Sequence, residues 1–300
     1  TTAHTLSLHD ALPIYHHGFL NSFNMLRNFL IFFFNITFVF SQSLYDNLNF
    51  PEKKWVDSIY SSLTTEEKVA QLFNNWVSPE QSNFDEIKKL VVEDKIGGLI
   101  FSIGTTKSHV EWLNKFQSLA KTPLLISMDA EWGPAQRLSD VFAHPWNMTL
   151  GAIQDESLVR EISKRMAEQN KALGVHINFS PSVDVNNNSK NPIIGNRSFG
   201  EDPVNVYKKA KAYIQGHKDV GVYTSIKHFP GHGDTDKDSH KTLPVISGNM
   251  KRLNNIELFP FKRLIEDGLA ESVMLAHLSV PAIDKKRSEE HTSELQSPVT

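Results

Sequence analysis

The sequence predicts an α/β fold in which parallel strands alternate with helices, arranged as a (β/α)8 barrel of the TIM type. Two observations carry this prediction. Between residues 64 and 276, short apolar runs alternate with helical patterns, which is typical of βα units. Unusual polar side chains follow the ends of the apolar runs, and in such barrels the functional residues lie at the carboxyl ends of the strands. A doubly wound sheet with one functional face fits the same observations and stays open as an alternative.

The predicted elements follow in order from Thr64, where a capping residue precedes two acids and apolar positions at helical spacing. A closed barrel needs eight strands, and about five are predicted before the C-terminal tail. The barrel is therefore expected to be truncated before its last strands. The predicted strands are 96–101, 123–128, 175–179, 222–226 and 272–276, and the later helices are 106–120, 158–173, 203–217 and 254–267.

Composition excludes several classes of function. The 300 residues are 40% hydrophobic, which is enough for a sizeable core in one large domain or two small ones. The net charge of −3 gives no indication of a nucleic-acid partner or of an anionic membrane surface. The chain has no cysteine, so disulfides, thiolate metal sites and a cysteine nucleophile are excluded.

Both ends of the chain read as foreign sequence. Residues 4–14 and 287–297 resemble the two translated partners of a sequencing-adapter pair, with polar disordered tails as the alternative. Residues 1–24 and 287–300 are therefore excluded from the fold prediction. Met25, Arg27, the apolar run 29–40 and the small Ser41 predict an export signal over 25–41, and hence a periplasmic or secreted protein. The run is short for a membrane span, so no stable span is expected after cleavage, and a buried helix is the alternative. Residues 42–286 remain as the partial barrel domain.

The densest group of titratable residues runs from Lys227 to His240. It holds three His, three Asp and two Lys directly after a predicted strand, which packing alone does not explain. A solvated polar loop and a zinc site are the competing interpretations. Pro230 prevents a regular helix between the first two histidines, and no HExxH-type arrangement is present, so no metal and no other cofactor is expected. The residues that could serve as zinc ligands are His228, His232, Asp234, Asp238 and His240.

Three motifs together resemble the N-terminal catalytic domain of the family 3 glycoside hydrolases, and within that family the β-N-acetylglucosaminidase (β-hexosaminidase) branch. The first motif is 227–234 with 238–240, and the second is 192–200 preceded by 178–181 and Asp184. The third is 127–131 with 136–137. The resemblance covers about residues 63–283. It implies retaining hydrolysis of terminal β-linked N-acetylglucosamine in chitooligosaccharides or peptidoglycan fragments.

The resemblance also implies a role for individual residues. His240 would be the acid/base, paired with Asp238, and an imidazole suits this task because it titrates near neutral pH. Structural alternatives are an ion pair of Arg197 with Glu201 or Asp202, a helix cap for Asp129, and surface charges for Arg137 and Lys227. His232 is expected to order its loop and His176 to be a satisfied core or strand-end histidine, whereas His277 fits either kind of role. The residues implied to bind the sugar ring are Asp129, Arg137, Arg197, Lys227 and His228.

Two departures from the family pattern affect the functional prediction. Trp132 stands where the family commonly has the first of two glycines, which leaves the choice between free chitobiose and a peptidoglycan fragment open. The family's carboxylate nucleophile lies on a later strand, and Asp284 comes too early to match it, so no nucleophile is assigned. A β-glucosidase-type member of the family and a non-catalytic glycan-binding fragment remain the alternatives.

Overall fold

The computed structural model describes residues 48–236 and 243–283. The chain divides into two compact units, residues 1–57 and 58–300, and of the first unit only 48–57 are described. The predictions for 1–24, 25–41 and 287–300, and those for Asp238 and His240, lie outside the described residues. No helix within 48–236 and 243–283 is long and apolar enough to cross a membrane.

Strands and helices alternate along the described chain. The strands are β1 (Asn74–Val77), β2 (Gly98–Phe101), β3 (Leu125–Met128), β4 (Ile177–Asn178), β5 (Tyr223–Thr224), β6 (Ile226–Phe229) and β7 (Val273–Leu275). The helices are α1 (Phe50–Ser62), α2 (Thr65–Ala70), α3 (Phe84–Lys89), α4 (Thr106–Leu119), α5 (Asn147–Ala152), α6 (Glu156–Ala172), α7 (Pro203–Val220), α8 (Met250–Asn255) and α9 (Leu258–Glu266).

The strands are parallel, and their spatial order follows their order in the chain. Strands β1 to β5 form one sheet in the order β1-β2-β3-β4-β5, and β6 pairs with β7. Only Ser225 separates β5 from β6, and the segment after β4 continues beside β6, where Val183 N donates to Lys227 O at 2.7 Å. The carboxyl ends of neighbouring strands therefore meet along one edge, which confirms the parallel α/β class.

The helices begin where the sequence supplies caps. Thr64 forms a capping box with Glu67, and the side chain of Thr105 accepts a hydrogen bond from Ser108 N at the start of α4. Asp202 caps α7 by accepting from two backbone N–H groups. Since that carboxylate is used at the helix start, it is not the partner of Arg197 that the sequence offered as an alternative.

The two largest of three apolar clusters among the described residues hold most of the strands in place. The first lies around β1 to β3 and the second around α6, α7 and α9, and most members are fully buried. Strand β2 is buried almost throughout, as expected for a parallel strand covered on both faces. The frame beneath the carboxyl edge is therefore closely packed. Large buried members include Leu99, Phe101, Phe116, Ile126 and Met128 in the first cluster and Phe199, Tyr213 and Phe261 in the second.

Several elements differ from the prediction. Strand β1 reads Asn-Asn-Trp-Val, which contains no apolar run, and α3, α5 and α8 have at most six residues each. Short elements of this kind give little periodic signal. The predicted helix 254–267 is two helices, because the backbone leaves the helical region at Ile256 (φ −120°, ψ −79°). The predicted strand 222–226 continues to Phe229 after a break at Ser225.

Candidate active site

Polar side chains from four segments meet at the carboxyl edge of the sheet. Two carboxylates follow β3, one follows β4, Lys227 and His228 lie within β6, and Arg197 ends a 3₁₀ turn, Gly195–Arg197. Gly133 has φ 85°, a left-handed conformation that glycine adopts without strain, and it turns the chain sharply after Glu131. Seven side chains form one continuous series of polar contacts, which we call the charge ladder. In order they are Arg137, Asp129, Lys227, Glu131, Arg197, His228 and Asp184.

Ion pairs of alternating sign build the first part of the charge ladder. Arg137 Nη2 lies 3.1 Å from Asp129 Oδ2, and Lys227 Nζ lies 2.8 Å from Asp129 Oδ1. The same ammonium group is 2.9 Å from Glu131 Oε1. Arg197 then approaches Glu131 through Nε, 3.0 Å from Oε2, and through Nη2, 2.7 Å from Oε1. This two-point contact is the geometry in which a guanidinium group binds a carboxylate most strongly.

A histidine and a buried carboxylate complete the charge ladder. Arg197 Nη2 lies 3.1 Å from His228 Nε2, and His228 Nδ1 lies 2.7 Å from Asp184 Oδ2. A guanidinium group can only donate, so Nε2 is the acceptor and the ring hydrogen resides on Nδ1, which donates to Asp184. The ladder thereby fixes both the tautomer and the orientation of the ring.

Asp184 organises the loop that follows β6. Its Oδ1 accepts from His232 N at 2.6 Å, and its Oδ2 accepts from Ser182 Oγ at 2.8 Å. His232 in turn contacts Thr235 Oγ1 through Nδ1 at 2.6 Å. These contacts agree with the loop-ordering role that the sequence suggested for His232. One buried carboxylate thus ties together β6, the segment after β4 and the start of the histidine-rich loop.

All three carboxylates of the charge ladder are ionised at neutral pH. Burial alone would raise the pKa of Glu131, but Lys227 and Arg197 outweigh it and bring the pKa to about 2. The same competition between burial and Lys227, helped by Arg137, holds the pKa of Asp129 below its ordinary value. Burial also opposes ionisation of Asp184, yet His228 and the two other donors keep its pKa well below the usual range. None of these groups is therefore a proton donor near pH 7.

The charge ladder has a closed floor and an open mouth. The side chains of Glu131 and Lys227 are 1% and 2% exposed, and Asp184 is fully buried. Four members are partly exposed, and three of them, Asp129, Arg137 and Arg197, keep donor or acceptor capacity that no other ladder member uses. The mouth consists of Asp129, Arg137, Arg197 and His228.

The structure brings together all five residues that the resemblance implied as ring-binding. The alternatives weighed for them are wrong in detail: Arg197 pairs with Glu131, Asp129 pairs with two cations, and Lys227 is buried. The binding roles stay predictions. The proposed acid/base residues, His240 and Asp238, lie outside the described residues.

Sequence reasoning underrated two central members of the site. Glu131 and Asp184 stood within the quoted motifs and shortly after predicted strands, but neither was selected as a site residue. Their position beside cationic side chains from other motifs was the signal that could have identified them, because a buried carboxylate requires such partners. Among the other histidines, His176 Nδ1 accepts from Ile126 N at 3.0 Å, as expected of a satisfied histidine, and His277 lies two residues after β7.

A buried network supports the site from below. The hydroxyl of Tyr213 donates to Glu131 O at 3.1 Å and receives a hydrogen bond from Ser180 Oγ at 3.0 Å. Asn178 Nδ2 contacts His217 Nε2 at 3.0 Å, and burial lowers the pKa of His217 to about 4, so that this ring is neutral. The network joins α7 to the turn that carries Glu131.

The described residues offer no metal centre. Within 48–236 and 243–283, no three His, Asp or Glu side chains are grouped so that they could hold an ion. Of the five zinc ligands considered from the sequence, His228 and His232 have their Nδ1 atoms bound to Asp184 and Thr235, and two others lie outside the described part of the chain.

Known proteins resemble this chain in sequence and in fold. β-Hexosaminidase A of Pseudoalteromonas piscicida is 34% identical over 215 residues, which is 67% of this chain and 36% of the relative. A family 3 β-N-acetylglucosaminidase from Paenibacillus sp. str. FPU-7 is 38% identical, with a TM-score of 0.70 over 75% of this chain and 44% of that one. The β-glucoside phosphorylase BglX, in its structure bound to 2FGlc, is 29% identical in sequence, with a TM-score of 0.73 over 84% of this chain and 44% of that one.

The chain therefore spans less than half the length of these three proteins. A family model, that of the glycosyl hydrolase family 3 N-terminal domain, matches residues 64–297, which include every member of the charge ladder. On this match, and on the site that the matched residues build, the chain belongs to glycosyl hydrolase family 3.

Proposed function

We propose that the protein hydrolyses terminal β-linked N-acetylglucosamine in chitooligosaccharides or peptidoglycan fragments, with retention of configuration. The charge ladder is the observation that carries this proposal. Its open mouth presents Asp129, Arg137, Arg197 and His228 side by side, above a floor of buried ion pairs. The relatives named β-hexosaminidase and β-N-acetylglucosaminidase support the same substrate class.

The charges of the ladder suit a neutral, hydroxyl-rich ligand. Its three cations balance its three carboxylates, so a bound ion is not needed to neutralise the site. Vicinal sugar hydroxyls donate and accept at neighbouring positions, and each hydrogen bond to a charged group is worth about 1.5–3 kcal/mol. Since the ladder members already hold one another in place, little side-chain freedom is lost when a sugar binds.

None of the ladder carboxylates supplies the proton for the leaving oxygen. All three ladder carboxylates have lowered pKa values and so hold no proton near pH 7. We infer that His240 supplies it, with Asp238 orienting the imidazole, as the resemblance implies. Glu131 and Asp184 are engaged in buried contacts, so neither is free to act as the nucleophile that attacks the sugar. No nucleophile is assigned.

We infer further that the strands belong to a (β/α)8 barrel. Strand order follows chain order without reversal, whereas a doubly wound sheet reverses its order at a switch point. Counting β5 and β6 as one, the described strands fill six of the eight positions that a closed barrel requires. A crystal structure of the protein expressed to its natural stop codon, in which β1 has no strand partner on its second side, would contradict the closed barrel.

Export remains a proposal that rests on residues 25–41. The positive start, the apolar run and Ser41 support cleavage near residue 41, which would leave residues 42–286 as the barrel-containing part. N-terminal sequencing of the protein purified from its natural host tests this. A mature protein that still begins at Met25 would argue against an export signal.

The test of the activity is hydrolysis of a chromogenic N-acetyl-β-glucosaminide by the protein expressed to the natural stop codon of its gene. We expect His240→Ala to abolish turnover. Asp129→Asn should raise KM at least 10-fold, because it removes a charged acceptor from the mouth. Asp140→Asn is the matched control. This exposed aspartate also lies after β3, but it accepts hydrogen bonds from Thr106 N and Oγ1 and is not a member of the ladder. Equal KM values in the two Asp→Asn variants would refute the proposed binding site.

A β-glucosidase-type activity is the second candidate, because the β-glucoside phosphorylase gives the higher TM-score of the two solved structures. The corresponding β-glucoside, assayed with and without phosphate, separates the candidates. Faster cleavage of the acetylated substrate supports the first proposal. Cleavage of the glucoside alone supports the second, and binding of sugars without cleavage of either would indicate a glycan-binding protein.

A further inference from the structure

Two tryptophans, Trp132 and Trp146, stack on each other near the charge ladder but are not members of it. Trp132 follows Glu131 directly in the chain. Trp146 precedes Asn147, whose Nδ2 donates to Arg197 O at 2.8 Å. Both indoles are thereby anchored next to the central ion pair of the site. Their ring centroids are 4.2 Å apart and their planes differ by only 9°.

The stack is open to solvent although it is apolar. Trp146 is 43% exposed and Trp132 is half-buried. Phe142, four residues before Trp146, is 71% exposed. The loop beneath them is fixed, since His144 Nε2 contacts Gln169 Oε1 on α6 at 3.0 Å. Exposed aromatic surface on a fixed loop beside a polar pocket is typical of a ligand-binding rim.

The closed floor decides which part of a ligand can reach the stack. Lys227, Glu131 and Asp184 fill the bottom of the site, so a sugar bound to the mouth cannot be extended further inward. A glycan whose terminal ring occupies the mouth must extend outward, and the nearest exposed aromatic surface along the chain is that of Trp132, next to Glu131, and Trp146, next to the Asn147 that binds Arg197 O. A pyranose ring offers one face made largely of C–H groups, which can pack on the negative face of an indole.

We propose that Trp132 and Trp146 form a platform for the second sugar ring of the substrate, on the leaving-group side of the scissile bond. This inference rests on the proposed function and makes it more specific. The enzyme would distinguish glycans, whose leaving group is another pyranose, from glycosides with a small leaving group. Stacking needs no ionised group, so the platform adds binding area without disturbing the balanced charges of the ladder.

The experiment compares two ligands of the protein expressed to its natural stop codon. Chitobiose requires both the mouth and the platform, whereas product inhibition by N-acetylglucosamine requires the mouth alone. We expect Trp146→Ala to lower kcat/KM for chitobiose at least 10-fold while the inhibition constant of N-acetylglucosamine changes less than 2-fold. Trp146→Phe keeps an aromatic face and should recover most of the loss. Trp76→Ala is the matched control, because Trp76 is 46% exposed but lies on β1, outside the ladder.

Other results would overturn the platform. If Trp146→Ala weakens both ligands equally, the indole supports the mouth rather than a second ring. If it weakens neither, another segment of the protein covers the stack. Should the unmodified protein cleave no substrate, the proposed function fails, and tryptophan fluorescence with chitobiose and cellobiose then decides the platform. Quenching by a disaccharide that disappears in Trp146→Ala but persists in Trp76→Ala supports it, and any other fluorescence result refutes it.

Discussion

Replacing Glu131 by glutamine tests whether the charge ladder holds the fold together as well as the site. The substitution keeps shape and one acceptor oxygen but removes the negative charge that faces Arg197 and Lys227. The neighbouring cations lower the pKa of Glu131 from 4.5 to about 2, which corresponds to about 3 kcal/mol in favour of the ionised form. In Glu131→Gln, Arg197 loses its carboxylate partner while Lys227 keeps Asp129. Removing one partner of a buried ion pair typically costs about 3–5 kcal/mol, which agrees with the figure obtained from the pKa.

The assay is urea unfolding of the protein expressed to its natural stop codon, at pH 7. With an m-value of about 3 kcal/mol per molar urea, a loss of about 3 kcal/mol lowers the midpoint by about 1 M. Glu161→Gln is the matched control, since it removes the same charge from an exposed pair with Arg165 on α6. An exposed pair contributes about 0.3–0.5 kcal/mol, so the control midpoint should hardly move.

The difference between wild type and Glu131→Gln should also depend on pH. The folded pKa lies below the unfolded value, so the unfolded chain binds a proton first as the pH falls. The stability that Glu131 contributes is present above pH 4.5 and is lost progressively as the pH falls toward about 2. Equal midpoints for Glu131→Gln and Glu161→Gln at pH 7, or a difference that grows with acidity, would refute this reasoning.

Three further predictions concern the surroundings of the site. Gly233→Ala should lower the free energy of thermal unfolding by about 1–3 kcal/mol, because the added Cβ would lie 1.8 Å from Val185 O. Gly248→Ala is the control and should be nearly neutral, since its Cβ would lie 3.4 Å from the nearest atom. Equal melting temperatures of the two variants would contradict the clash. Tyr213→Phe removes the hydroxyl that joins two segments under the site and should cost about 1–3 kcal/mol in urea, so an unchanged midpoint would show that the network is dispensable. The folded pKa of His217 is about 4 against an ordinary 6.5, so the unfolded state gains the proton first and stability should fall by up to about 3 kcal/mol between pH 6.5 and 4. His217→Gln should flatten that part of the stability profile, and an unaltered slope would assign it to other groups.

The sequence predicted the βα alternation because apolar strand runs and helix caps are local signals. Thr64 marks a helix start that the structure confirms as a cap, whereas Asp202, considered from the sequence only as an ion-pair partner, also caps a helix. Strand β1 escaped prediction because Asn74 and Asn75 occupy half of its length, and pairing with β2 determines its conformation. Tertiary context overrides local pattern most readily in such short elements.

The sequence predicted which residues gather at the site but not which of them contact one another. Motif by motif, the sequence indicates which polar residues gather at the strand ends. It does not show that Arg197 crosses to Glu131, 66 residues earlier, rather than to a neighbour on its own loop. That choice follows from the parallel register, which brings the ends of β3 and β6 to one edge although 98 residues separate Asp129 from Lys227. Long-range partners of this kind have no periodic signature in one sequence.

The alternating charges of the ladder limit how the site can change during evolution. A substitution of Glu131 leaves Arg197 with no carboxylate partner in the ladder. A substitution of Lys227 removes the cation that Asp129 and Glu131 share and leaves the ladder with one excess negative charge. Such changes are tolerable only as compensated pairs, which arise rarely. Arg137 has one ladder partner and is partly exposed, so its loss leaves Asp129 still paired. We therefore expect substitutions that change substrate preference to occur first at Arg137, and the interior residues of the ladder to change rarely.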